Sequence, residues 1–391
     1  MLVDIFNCWL LAATFLFLSE TIGMNPESTF LKLPLFLAVA IAMRSIGVAN
    51  ALSAPLPQHN HWLVVDFDGT CTVRDTITML PRLASLSQSR LPANSSSSID
   101  EVSLSPDAVI DFRGRLSIFS KLEEEYFRKY TETMQSIQPG EKEGSALSPS
   151  VLLEELSESI DKLDDVSTEI THEVSKSSVL GGLGDLSRTE MLEIIDVYKE
   201  KQVDLEPKQI KDIKTNHQDL LDCLALKRGC LDVLRNCAES KNYGIGVLSI
   251  NWCPILIESL LVQPLCDNSS DASSEVPIWS NSVDGEGIVS LPFPGAISKK
   301  EQIRKLQKSS EDGSSRVVYV GDSSTDLLAI LQADVGILLG GSQSAASLAK
   351  RYGFFVKPLS ECEGGDSHQS VVWTADSWDE IGSFLNRIDW E

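Results

Sequence analysis

Two aspartates in Asp66-Phe67-Asp68-Gly69-Thr70 stand two positions apart at the end of the apolar run 62–67 (WLVVDF). In extended chain, residues two apart point the same way, so both carboxylates face one side of a strand end. Such a pair suits phosphoryl transfer, in which one ionised oxygen attacks phosphorus while its neighbour moves a proton to or from the leaving alkoxide. Asp66 is the candidate nucleophile and Asp68 the candidate general acid/base. Gly69 lets the chain turn tightly, so that backbone amides beyond the strand can point at phosphate oxygens. Taken alone, the same five residues also read as an ordinary turn.

Three later strand ends carry what this chemistry still needs. Ser249 closes the run YGIGVL, where its hydroxyl can hold a phosphate oxygen or be an unremarkable strand-end serine. Lys299 follows Gly295-Ala296-Ile297-Ser298 and can set a positive charge between phosphate and nucleophile, with Lys300 as its rival. After VVYV comes Gly321-Asp322-Ser323-Ser324-Thr325-Asp326. Asp322 faces the same crevice as Asp66, and Asp66, Asp68 and Asp322 form a set of hard oxygen donors suited to Mg²⁺. Asp326 either holds a metal-bound water or caps the helix that starts there, and Ser323 stands beside it in support.

The elements that must position these residues alternate. Short apolar runs at 62–67, 245–248, 317–320, 335–339 and 354–356 read as buried parallel strands, and 252–262, 299–307 and 325–333 read as helices between them. That alternation predicts an α/β fold, a parallel sheet flanked by helices with ligands at the carboxyl ends of the strands. From 79 to 225 the pattern changes to charged amphipathic segments at 116–137, 151–166 and 188–200, which predicts an all-helical insertion. Residues 94–98 and 139–150 read as loops within it, and the polar 267–287 as a loop or short hairpin in the core.

The ordered set DFDGT, Ser249, Lys299 and GDSSTD resembles the four-motif pattern of the haloacid dehalogenase (HAD) superfamily. The resemblance implies a Rossmann-like core in which the first Asp is the nucleophile, the second the acid/base, Ser and Lys grip phosphate and the last acidic pair secures Mg²⁺. The presence of Asp68 tilts this toward a phosphatase, and the insertion resembles the helical, C1-type cap of the phosphoserine-phosphatase-like branch. More narrowly, DFDGTCTVRD, LSINWCPILIESLL, VYVGDSSTDLLAILQADVGI and TADSWDEIGSFL resemble the phosphatase half of the plant bifunctional thiamine-biosynthesis proteins, in which a helical TenA domain precedes a HAD domain. That implies thiamine monophosphate phosphatase activity. Only sixty residues precede the strand of Asp66, so no TenA activity is expected to carry over. Phosphatases for a nucleotide, phosphoserine or pyridoxal phosphate share the same core motifs. A HAD scaffold that binds without turnover is the alternative from another class, and intact Asp66, Asp68, Lys299 and Asp322 argue against it.

The expected organisation is thus a core of 62–78 and 226–391 and a cap of 79–225, preceded by an apolar segment and linker over 1–61. Within the cap, Glu123, Tyr126, Phe127 and Tyr130 either face a cationic ring of the substrate or pack as a helix face. Asp75, at the junction of core and cap, either contacts substrate or caps a helix.

A formal charge of -23 sets the average field against phosphate backbones and anionic lipid, so nucleic acid is not an expected partner; a small phosphorylated metabolite is, bound through Mg²⁺ and Lys299. The eight cysteines include no C-x-x-C, and Cys223, Cys230 and Cys237 read as one face of a helix. The apolar runs 5–18 and 33–43 are each shorter than the roughly 20 residues of a spanning helix, so no stable membrane insertion is expected. A cleaved targeting segment or a plain extension are both open, which leaves the cytoplasm, mitochondrion or plastid as locations.

Overall fold

Strand β1, His61–Val65, is buried along four of its five residues, and so are all of β2, Gly244–Leu248, and all but the first residue of β6, Arg316–Gly321. Strands covered on both faces have no reason to alternate apolar and polar residues, which is why these runs are continuous. The computed structural model describes residues 59–88, 106–138, 148–200, 221–239, 243–266, 276–309, 315–362 and 370–388. The apolar runs at 5–18 and 33–43, most of the linker and the loop at 94–98 lie outside them.

The remaining strands are β3, Ile278–Trp279; β4, Ser282–Val283; β5, Val289–Ser290; β7, Val335–Leu339; β8, Phe355–Pro358; and β9, Val371–Ala375. A seven-stranded sheet runs β3-β2-β1-β6-β7-β9-β8 with every neighbouring pair parallel, while β4 and β5 form a small antiparallel pair. Strand β1 is central: Val65 is in register with Val247 of β2 on one side and Val320 of β6 on the other. The carboxyl ends of three adjacent strands therefore open at one place.

Between β1 and β2 lies the helical insertion, with α1, Leu80–Gln88; α2, Pro106–Ser136; α3, Pro149–Ser177; and α4, Arg188–Glu200. Helix α3 starts on Pro149 at its first position, where a missing N–H costs nothing, and ends at Ser178 in the left-handed conformation. Its buried Leu156, Ile160, Leu163, Ile170 and Val174 fall at helical spacing and form one apolar stripe. The chain leaves and re-enters the core side by side: Thr72 bridges Leu226, Val73 N–H donates to Ala225 O at 2.9 Å, and Lys227 N–H donates to Cys71 O at 2.7 Å. After it come α5, Cys230–Glu239; α6, the helical stretch 254–266; α7, Ala296–Gln307; α8, Leu327–Gln332; α9, Gln343–Arg351; and α10, Trp378–Leu385.

Several expectations change in detail. The polar stretch at 267–287 contains a sheet strand, β3, as well as one arm of the hairpin. Strand β9 and helices α9 and α10 were not anticipated. Cys230 and Cys237 do share α5, but the helix containing Cys223 stops before the turn at Gly229, so the three thiols are not on one helix. Among the described residues no helix is long and apolar enough to cross a membrane.

Candidate active site

Asp66 leaves β1 with its N–H still bonded to Val320 O at 2.9 Å, which continues the sheet one residue past the strand and fixes where the carboxylate emerges. Ser249 is held likewise, its N–H on Trp279 O at 2.9 Å. Asp322 follows β6. Lys299 comes from the first turn of α7 and is fully buried, its Nζ donating to Asp66 Oδ1 at 2.9 Å and to Asp326 Oδ1 at 2.7 Å. Lys300 turns the other way, to Ser157 Oγ at 3.0 Å on α3. The structure thus brings Asp66, Lys299, Asp322 and Asp326 together, with Ser249 on the neighbouring strand end.

Asp326 accepts at both oxygens. Oδ1 takes Lys299 and the Tyr319 hydroxyl at 2.6 Å; Oδ2 takes the N–H groups of Asp322 and Ser323 and the Ser323 hydroxyl. Burial acts to raise its pKa, but Lys299 together with the Tyr319 and Ser323 hydrogen bonds outweighs it, and Asp326 stays below the usual carboxylate range. Its part is to fold the loop of 322–326 and anchor the lysine, and it makes no cap bond to α8. Burial acts to lower the Lys299 pKa, and Asp326 and Asp66 override it, holding the lysine above its ordinary value and charged.

Asp322 accepts the Thr70 hydroxyl at 2.7 Å, and the Thr70 carbonyl in turn accepts Trp378 Nε1 at 3.0 Å, so α10 steadies the turn after β1. Gly69 in that turn has φ +69°, and a β-carbon there would collide with the Asp322 carboxylate. Glycine is required twice over, for the dihedral and for the space.

Carboxylate oxygens of Asp66, Asp322 and Asp326 lie within 4.8 Å of one another. Among the described residues no donor reaches the second oxygen of Asp66 or of Asp322. Burial pushes both acids up, Asp66 well above the usual range and Asp322 to about 6, with the neighbouring carboxylates adding to it. Asp66 and Asp322, mutually repelling and each with one oxygen left without a donor, fit a hard divalent cation, whereas both oxygens of Asp326 are already taken. This set differs from Asp66, Asp68 and Asp322, because the Asp68 side chain is engaged elsewhere.

Asp68 Oδ1 accepts the Thr76 N–H at 2.8 Å and the Thr76 hydroxyl at 2.7 Å, while Oδ2 accepts Asn251 Nδ2 at 2.7 Å. Asn251 also donates to Thr76 Oγ1 at 2.8 Å, and its own side-chain carbonyl is fixed by the Cys253 N–H at 2.8 Å. Burial raises the Asp68 pKa, and these hydrogen bonds hold back part of the rise. Sequence reading missed this clamp. Its signal was present in Asn251, two residues past Ser249, by the same alternation that singles out Asp68 after Asp66.

A cavity of about 140 Å³ lies between the insertion and the core beside this clamp, lined by Phe119, Tyr126 and Phe127 of α2 and by Ile250 and Trp252 after β2. Asp75 and Glu123 supply its acidic lining. Asp75 both lines the cavity and caps a short turn, accepting the Ile77 N–H at 2.7 Å. It keeps solvent access, and partial desolvation with the nearby Asp68 carboxylate holds its carboxyl above the usual range. Tyr130 is not part of the lining; its hydroxyl meets Ser324 Oγ.

Fold and site together set paired carboxylates, a buried lysine and a serine at the carboxyl ends of adjacent parallel strands. The chain is 24% identical over 351 residues to the Bifunctional TH2 protein, mitochondrial, of Arabidopsis thaliana, a match that covers 83% of this chain and 49% of that protein. The chain therefore spans about half the length of that curated relative. No family model matches. Among solved structures, a substrate-bound phosphoserine phosphatase is similar with 14% identity and a TM-score of 0.39, over 85% of this chain and 100% of that one. Cytosolic 5'-nucleotidase IIIB bound to cytidine is similar with 13% identity and a TM-score of 0.39, over 84% of this chain and 86% of that one.

Proposed function

We propose that the chain hydrolyses small phosphomonoesters in two displacements through an aspartyl-phosphate on Asp66. The observation that carries this reading is Lys299, fully buried and bonded to both Asp66 and Asp326 at the open end of the sheet. In the first step an Asp66 oxygen bonds to phosphorus, the bond from phosphorus to the leaving oxygen breaks, and Asp68 in its acid form gives that oxygen a proton. In the second, a water oxygen bonds to phosphorus, Asp68 takes the proton, and the bond from phosphorus to the Asp66 oxygen breaks, releasing phosphate. Burial raises the Asp68 pKa, which favours the acid form that this step uses. Lys299, Ser249 and the backbone after Gly69 hold the phosphoryl oxygens.

Asp66 and Asp322 would hold Mg²⁺, with Asp326 ordering the loop that carries Asp322; when bound, the ion would neutralise charge on the transferring group. The core is assigned to 62–78 and 226–391 and the cap to 79–225. Thiamine monophosphate is the proposed substrate, supported by the resemblance to plant thiamine-biosynthesis phosphatases and by an aromatic cavity carrying Asp75 and Glu123. The relative is named as mitochondrial, so an organellar destination is proposed too, to be tested by N-terminal sequencing of the native protein.

The test is phosphate release from a panel of phosphomonoesters including thiamine monophosphate, with and without Mg²⁺, against Asp66→Asn. Mg²⁺-dependent turnover that Asp66→Asn abolishes is expected. Failure to release phosphate from any ester would remove the enzymatic reading; turnover of other esters alone would remove the thiamine assignment.

A further inference from the structure

Helix α7 begins at Ala296 with Gly295 in the capping position, and Lys299 lies in its first turn. The first amides of a helix have no carbonyl partner within it, and a Ser, Thr, Asp or Asn side chain at the capping residue usually satisfies one. Gly295 has none to offer. Half of a reciprocal cap is present all the same: Ser298 Oγ accepts the Gly295 N–H at 3.3 Å and donates to the Gly295 carbonyl at 2.7 Å.

The other half comes from the insertion. Asp164, midway along α3, turns its carboxylate onto the start of α7, where Oδ2 accepts the Ile297 N–H at 3.3 Å and the Ala296 N–H also faces it. The side chain is buried, 8% exposed. Glycine at 295 is there for space: its φ of -177° is ordinary extended chain, but a β-carbon would fall on the Asp164 carboxylate. The capping group has in effect been moved from residue 295 to a different element.

We infer that Asp164 is a positioning residue for the phosphatase reaction, capping from the insertion the helix that presents Lys299 to Asp66. This rests on the part given to Lys299 under the proposed function. Lys299 must reach Asp66 and Asp326 at once from a site closed to solvent, so a frayed first turn displaces the ammonium from both. Helix α3 also lines the cavity, through Ser167, Ile170, Thr171 and Val174, within three turns of Asp164. A leaving group that seats α3 in the cavity therefore seats the lysine too, and the core is complete only with the insertion docked.

The experiment is steady-state kinetics and thermal unfolding of the full chain, with thiamine monophosphate and Mg²⁺, for Asp164→Ala, Asp164→Asn, Gly295→Ser and the double variant Asp164→Ala/Gly295→Ser. Asp164→Ala is expected to lower kcat about tenfold or more, which is about 1.4 kcal/mol or more in the barrier. Asp164→Asn, which keeps an acceptor, should recover most of that loss. Gly295→Ser alone should be impaired by its clash with Asp164, whereas the double variant, with a local serine cap in the vacated space, should return kcat to within about threefold of wild type. A wild-type kcat in Asp164→Ala would overturn the inference. So would a double variant that regains its melting temperature but not its kcat, and this holds even where Asp164→Ala alone yields no folded protein. Absence of turnover in the wild type is the separate result that would defeat the proposed function, and this inference with it.

Discussion

Lys299 Nζ stands 2.9 Å from Asp66 Oδ1, and no part of the lysine touches solvent. A buried cation shared by two carboxylates is costly to remove, because its partners are left charged and unpaired. Replacing it with Met is predicted to destabilise the protein by about 3–5 kcal/mol in denaturant titrations and to abolish phosphate release. Lys300→Ala, which loses only a bond to Ser157, should leave both nearly unchanged.

The Asn251 amide and the Thr76 hydroxyl aim Asp68, so their loss should be felt where proton transfer matters most. Asn251→Ala and Thr76→Val are predicted to lower kcat about 10- to 100-fold for esters with poor alkoxide leaving groups and much less for aryl esters, whose leaving oxygen needs little help. Equal losses across a leaving-group series would show that the clamp acts on something other than the acid.

Phe127 lines the cavity and is 58% exposed, so truncating it carries little folding cost. Phe127→Ala is expected to raise KM for ring-bearing phosphate esters about threefold to tenfold while leaving small aliphatic esters unaffected. Parallel effects on both classes would remove this residue from substrate selection.

Burial pushes the Asp164 carboxyl up from 3.8 to about 6, with Asp161 adding to the rise and the α7 amides and Lys299 opposing it. The folded protein then binds this proton more tightly than the unfolded chain, so its stability falls as pH rises from about 4 to about 6 and remains lower above that. Asp164→Asn has no such loss. Its stability relative to wild type should therefore rise as pH increases from about 4 to about 6. Chemical denaturation of both proteins across that range measures it; a relative stability that rises on acidification would contradict the assignment.

How far these features can be read from sequence depends on whether they are local. Strands β1, β2, β6 and β7 are continuous apolar runs ended by turn residues, so the strand ends bearing Asp66, Ser249 and Asp322 could be located directly. Strand β3 has two residues and takes its place only by pairing with β2, which no periodicity reveals. In β9, three apolar residues precede Thr374, too short a run to stand out. Lys299 and Lys300 are equivalent by composition, and only the rotation of α7 sends one to Asp66 and the other to Ser157. The links from Asp68 to Asn251 and from Asp164 to Ile297 join residues far apart in the chain and exist only after the sheet and insertion have assembled.

The most direct test of the central claim is chemical trapping of the aspartyl-phosphate at Asp66. Acid quenching during turnover, borohydride reduction and peptide mass analysis should find the modification at residue 66, dependent on substrate and Mg²⁺ and missing from Asp66→Asn. Modification of a different residue, or full turnover by Asp66→Asn with nothing trapped, would contradict the account.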